Sequence, residues 1–98
     1  MDREQVIAKL REHEPELKAS GIARLSLFGS VARGDNNPSS DVDLMAEFDR
    51  AKRFSLFSLS GVRLQISDIL AVPVDLAERR MLKDEVKARA ERESILVF

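Results

Sequence analysis

Asp41 and Asp43 stand two residues apart in the run Asp41-Val42-Asp43-Leu44-Met45-Ala46-Glu47-Phe48-Asp49, and a third aspartate, Asp75, sits between Val74 and Leu76. On extended backbone a spacing of two puts Asp41 and Asp43 on one face, their carboxylates side by side where a strand begins. Three carboxylates gathered on a strand surface repel one another unless a cation neutralises them. Ligation by oxygen alone selects Mg²⁺ or Mn²⁺, and Mg²⁺ completes its shell with water and substrate phosphates, which implicates a nucleotide. The other half of the chemistry lies in Phe28-Gly29-Ser30-Val31-Ala32-Arg33-Gly34, where a strand ends in Gly-Ser and a helix begins. Glycine lets a phosphate approach the backbone, the helix start offers unpaired N–H groups, and Ser30 supplies a hydroxyl. Arg33 either adds a charge-assisted phosphate contact or pairs with Asp35. Phosphates at Gly29-Ser30 and metal at Asp41, Asp43 and Asp75 form the arrangement expected for two-metal transfer to an attacking hydroxyl.

The elements that must position these groups follow from local pattern. Residues 2–20 read as helix, opened by a capping box of Asp2 with Gln5, carrying Val6, Ile7, Leu10 and Leu17 at helical spacing and divided by Pro15. Ile22 to Phe28 is a short apolar run ending at Gly29 and suits a buried strand. A short helix follows from Gly29 to Arg33, with Gly34 as its C-terminal glycine and a loop through Ser40. The second strand, Asp41 to Asp49, alternates Val42, Leu44, Ala46 and Phe48 against Asp41, Asp43, Glu47 and Asp49. Ser55 to Leu70 carries Leu56, Leu59, Leu64, Ile66, Ile69 and Leu70 and is expected to be a core-facing helix despite Gly61. Val72 to Leu76 is a third strand with Pro73 at its start, and Glu78 to Arg92 a charged helix with Met81, Leu82, Val86 and Ala90 along one side. Ile95 to Phe98 is apolar and fits either a sheet strand or an exposed docking element. The predicted order is α-β-α-β-α-β-α.

Composition excludes much else. The chain has 98 residues, read as a single domain over residues 1–98 with one modest core. It contains no Cys and a single His, His13, which removes disulfides, thiolate metal sites, cysteine nucleophiles and multi-histidine centres together. His13, between Glu12 and Glu14, reads as an exposed side chain, and Asp68 as a surface residue. Sixteen Lys+Arg against 17 Asp+Glu leave a formal net charge of −1, so strong nucleic-acid binding by counterion release is not expected. Arg50, Lys52 and Arg53 form a local basic cluster, either a solvated loop or an attractor of phosphate or an acidic partner. No stretch approaches a membrane span and no signal peptide opens the chain, so the expected address is the cytoplasm, with no membrane partner.

The spacing Gly29-Ser30, ten residues, then Asp41-Val42-Asp43 resembles the signature of DNA polymerase β-like nucleotidyltransferases. The surrounding LFGSVARGDNNPSSDVDL is similar in particular to the minimal nucleotidyltransferases, the MntA-type antitoxins paired with HEPN-domain toxins of the HepT type. The resemblance extends from the first strand to the end of the chain. It implies an α+β palm-like fold, a small mixed sheet flanked by helices, that binds ATP and Mg²⁺, with two ions expected. It assigns Gly29 and Ser30 to triphosphate binding, Asp41 and Asp43 to metal binding, and Asp75 to the third carboxylate; Asp75, or a metal-bound water, takes the acceptor's proton. The implied activity is transfer of AMP to a hydroxyl, a tyrosine of a cognate HEPN ribonuclease toxin, in a hetero-oligomer with it. The different reading is an antitoxin that neutralises its toxin by binding alone. On this length the acceptor half of the site is expected from another protein.

Overall fold

The structure, a computed structural model, describes residues 1–35, 41–51 and 54–98. Lys52 and Arg53 of the basic cluster, and residues 36–40 of the loop before Asp41, lie outside the described residues. The chain opens with α1 (Arg3–Glu12) and α2 (Glu14–Ala19). Asp2 accepts from the Gln5 N–H at 2.9 Å while the Gln5 side chain accepts from the Asp2 N–H at 3.0 Å, which is the expected capping box. Pro15 falls in the first turn of α2, where its missing N–H costs nothing, and so marks the break between the two helices.

Four strands form one sheet: β1 (Ile22–Phe28), β2 (Val42–Phe48), β3 (Val74–Glu78) and β4 (Ile95–Leu96), in the spatial order β3-β2-β1-β4. The sheet is mixed, because β2 runs antiparallel to β1 and parallel to β3, and β4 runs antiparallel to β1. Between the strands lie α3 (Gly29–Arg33), α4 (Leu56–Leu70), a 3₁₀ turn at Arg79–Met81 and α5 (Asp84–Glu93). This is the expected α+β architecture.

Strand alternation sorts the sheet into two faces. Leu25, Leu27, Val42, Leu44, Ala46, Phe48 and Val74 are buried in the core with Val6 and Leu10 of α1, Leu17 of α2, and Val62, Ile66 and Leu70 of α4. The opposite face carries Ser26, Phe28, Asp43, Met45, Glu47 and Asp75, and α5 lies over part of it, tied there by Arg79, which bridges Glu47 of β2 and Glu91 of α5.

Three boundaries differ from the sequence reading. β3 starts at Val74 rather than Val72, because Pro73 has no N–H to give the ladder and contributes only its carbonyl, which accepts from Val42 at 3.2 Å. It runs on to Glu78, expected as the start of a helix, because the buried Glu78 carboxylate accepts the Phe48 N–H at 2.9 Å and the Arg80 N–H at 2.8 Å. The helix therefore begins only at Asp84, and of its expected apolar side Ala90 is buried while Met81 and Val86 are exposed. On α4 the buried positions are Val62, Ile66 and Leu70, and Leu56 and Leu64 face outward. The open alternative at the end of the chain resolves as a strand: Ile95 and Leu96 pair with Leu27 and Ser26, and Val97 donates to the Leu25 carbonyl at 2.8 Å.

Candidate active site

The sheet register brings Asp43, Asp75 and the Phe28-Gly29 turn together. Asp43 pairs across β1–β2 with Phe28, the residue before Gly29, and across β2–β3 with Asp75. Parallel partners on adjacent strands project to the same face, so Asp43 and Asp75 are lateral neighbours. Asp41 sits just before β2 and is exposed, and its charge reaches Asp43. Burial, then the charges of Asp75 and Asp41, push the Asp43 carboxyl above its ordinary range, and Arg33 opposes them.

Gly29 has φ +77°, a left-handed conformation that disfavours any side chain. A Cβ at this position would stand 3.0 Å from Cγ and 3.1 Å from Cβ of Asp43, and closer still to its Oδ2. The glycine therefore makes room for the Asp43 carboxylate itself, so the Gly-Ser and Asp-x-Asp motifs are two parts of one packing unit.

Beside this unit opens a cleft of about 320 Å³ between the Phe28-Gly29-Ser30 turn, Asp43 and one side of α5. Ser30 faces it and its hydroxyl has no hydrogen bond among the described residues. Arg33 also lines it, but its guanidinium donates to Asp35 at 3.1 Å and to Glu93 of α5 at 3.3 Å. Of the two alternatives for Arg33, the structure contains the pairing with Asp35. Arg89, one helical turn before Glu93, lines the same cleft and makes no ion pair among the described residues. His13 and Asp68 lie away from the cleft.

Arg89 and Glu93 are the site-lining residues that sequence reasoning missed. Their i, i+4 spacing was visible, but many charged pairs share it on α5, and nothing local says which helix face meets Gly29.

The donor set suits a hard cation, since Asp43 carries the repulsion of two neighbouring carboxylates that an ion would relieve. Among the described residues no three such side chains stand close enough together to hold an ion by themselves.

The profile of the nucleotidyltransferase domain family matches residues 5–97. The protein adenylyltransferase MntA of Thermococcus cleftensis is 28% identical over 95 residues, 96% of this chain and 94% of its own. Among solved structures, a candidate minimal nucleotidyltransferase superposes with a TM-score of 0.79 at 34% identity, covering 97% of this chain and 95% of that one. The complex of the tri-AMPylated Shewanella oneidensis HEPN toxin with an MNT antitoxin matches with a TM-score of 0.66 over 90% of this chain and 68% of that one. At 14% identity that likeness is one of fold.

Proposed function

Since the chain belongs to the nucleotidyltransferase domain family, we propose that it transfers AMP from ATP to a hydroxyl, that of a tyrosine on a cognate HEPN ribonuclease toxin, and thereby acts as an antitoxin in complex with it. The observation that carries this reading is the register that sets Asp43 beside Asp75 and packs Asp43 against Gly29. The relatives add the chemical direction: one is a protein adenylyltransferase, and a structural neighbour is an antitoxin bound to an AMPylated toxin.

In this reading the Gly29-Ser30 turn and the Ser30 hydroxyl bind the phosphates from one side of the cleft, and the Arg89 guanidinium from the other. Arg33 reaches them only by leaving Asp35 or Glu93. Asp41, Asp43 and Asp75 would hold Mg²⁺, two ions in all. Mg²⁺ bound there would polarise the phosphoryl oxygens and lower the pKa of the acceptor hydroxyl. Asp75, exposed at the edge strand, takes the acceptor's proton. The acceptor oxygen then bonds to the α-phosphorus, and pyrophosphate leaves.

The test is α-labelled ATP with a HEPN toxin supplied as acceptor, comparing wild type with Asp41→Asn/Asp43→Asn. Metal-dependent label on the toxin, lost in the double variant, is expected. An unlabelled toxin that is nevertheless neutralised equally by both proteins would replace the transferase with an antitoxin that acts by binding alone.

A further inference from the structure

The outer side of α4 is left uncovered by the fold. From Leu56 to Leu64 it is made of Leu56, Phe57, Ser60, Gly61 and Leu64, all exposed and none charged, and Phe57 is 92% exposed. In a chain with 34% charged residues, the only charges on α4 are Arg63 and Asp68. At about 3.6 residues per turn, Phe57, Gly61 and Leu64 fall on one line along the helix, opposite Val62, Ile66 and Leu70, which dock on the core. Apolar residues in such a line are how one helix meets another.

Gly61 is the residue in that line that the fold does not explain. Glycine weakens a helix interior, yet nothing within the chain asks for it here. Its φ is not positive, and a Cβ at this position would meet no atom within 4 Å among the described residues. A missing side chain between two exposed apolar ones makes a notch. Such a notch lets the backbone of a second helix come close while Phe57 and Leu64 pack on either side of it.

The spacing selects the occupant. Phe57 and Leu64 stand equally far from the midpoint of Ser60 and Gly61. A two-fold axis through that midpoint lays a second copy of α4 antiparallel on the first, sets each Phe57 against Leu64 of the other copy, and brings the small residues together where the helices cross. Arg63 then faces Ser58 of the other copy and Asp68 falls beyond the start of the other helix, so no like charges oppose one another. Location points the same way. α4 packs on the core face of the sheet, whereas Asp43, Asp75 and the cleft lie on the opposite face. A protein that presents a hydroxyl to the cleft therefore docks on the far side from Phe57, and a second copy seated on α4 leaves both clefts open.

We propose that the outer side of α4 is a self-docking surface, through which two copies of this chain pair antiparallel about Ser60 and Gly61. The inference does not depend on the transfer reading. Leu56, Phe57 and Leu64 together offer roughly 400 Å² per copy and about 800 Å² in the pair, less than a permanent interface buries. The pair is therefore reversible and forms at micromolar concentrations and above, while the dilute chain is a monomer.

Sedimentation equilibrium of the full chain provides the test. The average mass is expected to climb from one chain toward two as the concentration rises from micromolar to millimolar. Phe57→Ser and Leu64→Ser each hold the chain at the mass of one copy throughout, with the circular dichroism of the dilute protein unchanged. Gly61→Leu separates a fitted surface from a merely adhesive one. It replaces glycine with a better helix former and adds apolar area, so it raises the thermal midpoint of the dilute chain. It also fills the notch, and so weakens the pairing about tenfold, as overfilling a packed contact does. Because the chain has no Cys, Ser60→Cys reports the axis: under mild oxidation it joins two copies, whereas Glu85→Cys, exposed on α5 across the sheet, does not. A single-chain mass at every concentration overturns the proposal, as does pairing that Gly61→Leu strengthens or cross-linking no better at Ser60→Cys than at Glu85→Cys. Association that appears only when a HEPN toxin is added, and that Phe57→Ser abolishes, also overturns it and gives the surface to the toxin.

Discussion

At Gly29 a positive φ and the Asp43 carboxylate impose the same demand, that nothing extend from the Cα. Gly29→Ala is therefore expected to cost about 1–3 kcal/mol for a side chain forced into left-handed backbone, and to displace Asp43 as well. Urea denaturation measures the first effect, and loss of AMP transfer beyond what stability explains measures the second. Asp43 itself is held at a cost, because burial and two like charges act against its ionised form. Asp43→Asn should raise the thermal midpoint of the metal-free protein at neutral pH while abolishing transfer. Saturating Mg²⁺ should stabilise the wild type and leave Asp43→Asn unchanged. An aspartate that served only as a solvated strand start would give no such opposition between stability and activity.

Among the elements, β3 and α5 decide the shape of the site, and each depends on a residue whose role is invisible locally. Glu78 closes β3 by accepting the N–H groups of Phe48 and Arg80 and the Arg80 guanidinium. Burial alone would raise its carboxyl, but these donors outweigh burial and hold it below the ordinary value of 4.5. The folded state thus binds this proton less readily than the unfolded one, so the contribution of Glu78 is complete above the ordinary value and is lost as pH falls below it toward the folded value. Glu78→Ala should destabilise by about 2–3 kcal/mol, since it strands the buried Phe48 N–H, and acid melts should lose this component of their pH dependence. On α5, Arg89→Ala removes a guanidinium that lines the cleft with Ser30. It should weaken Mg·ATP binding about tenfold, in line with one charge-assisted bond, while AMP binding changes little, as titration calorimetry with both nucleotides would register.

For the whole molecule, the packing leaves one side of α4 outside the core. Leu56 is 64% exposed and Leu64 55%, although both were expected to face the core, and Phe57 is 92% exposed. Phe57→Ser should therefore shift the unfolding free energy by less than about 0.5 kcal/mol, where the same change at Leu44 would be severe. The misreading has a physical cause: α4 is apolar around most of its circumference, so periodicity announces a helix without selecting the face, and only docking on α1 and the sheet chose Val62, Ile66 and Leu70. The candidate carboxylates were legible for the opposite reason. Period-two alternation from Asp41 to Asp49 and the Gly29-Ser30 turn are local patterns, and the backbone geometry of a strand translates them directly into sides of a sheet. What the amino-acid sequence determined by itself is thus the α+β class, the β1 and β2 strands and the identity of the candidate site residues. Tertiary structure alone decided the pairing of β4 with β1, the reach of β3 to Glu78 and the face that α5 turns to the cleft. Each of these joins residues far apart in the chain, such as Phe48 with Glu78 or Ser26 with Leu96, and their energy exists only once the whole sheet has assembled.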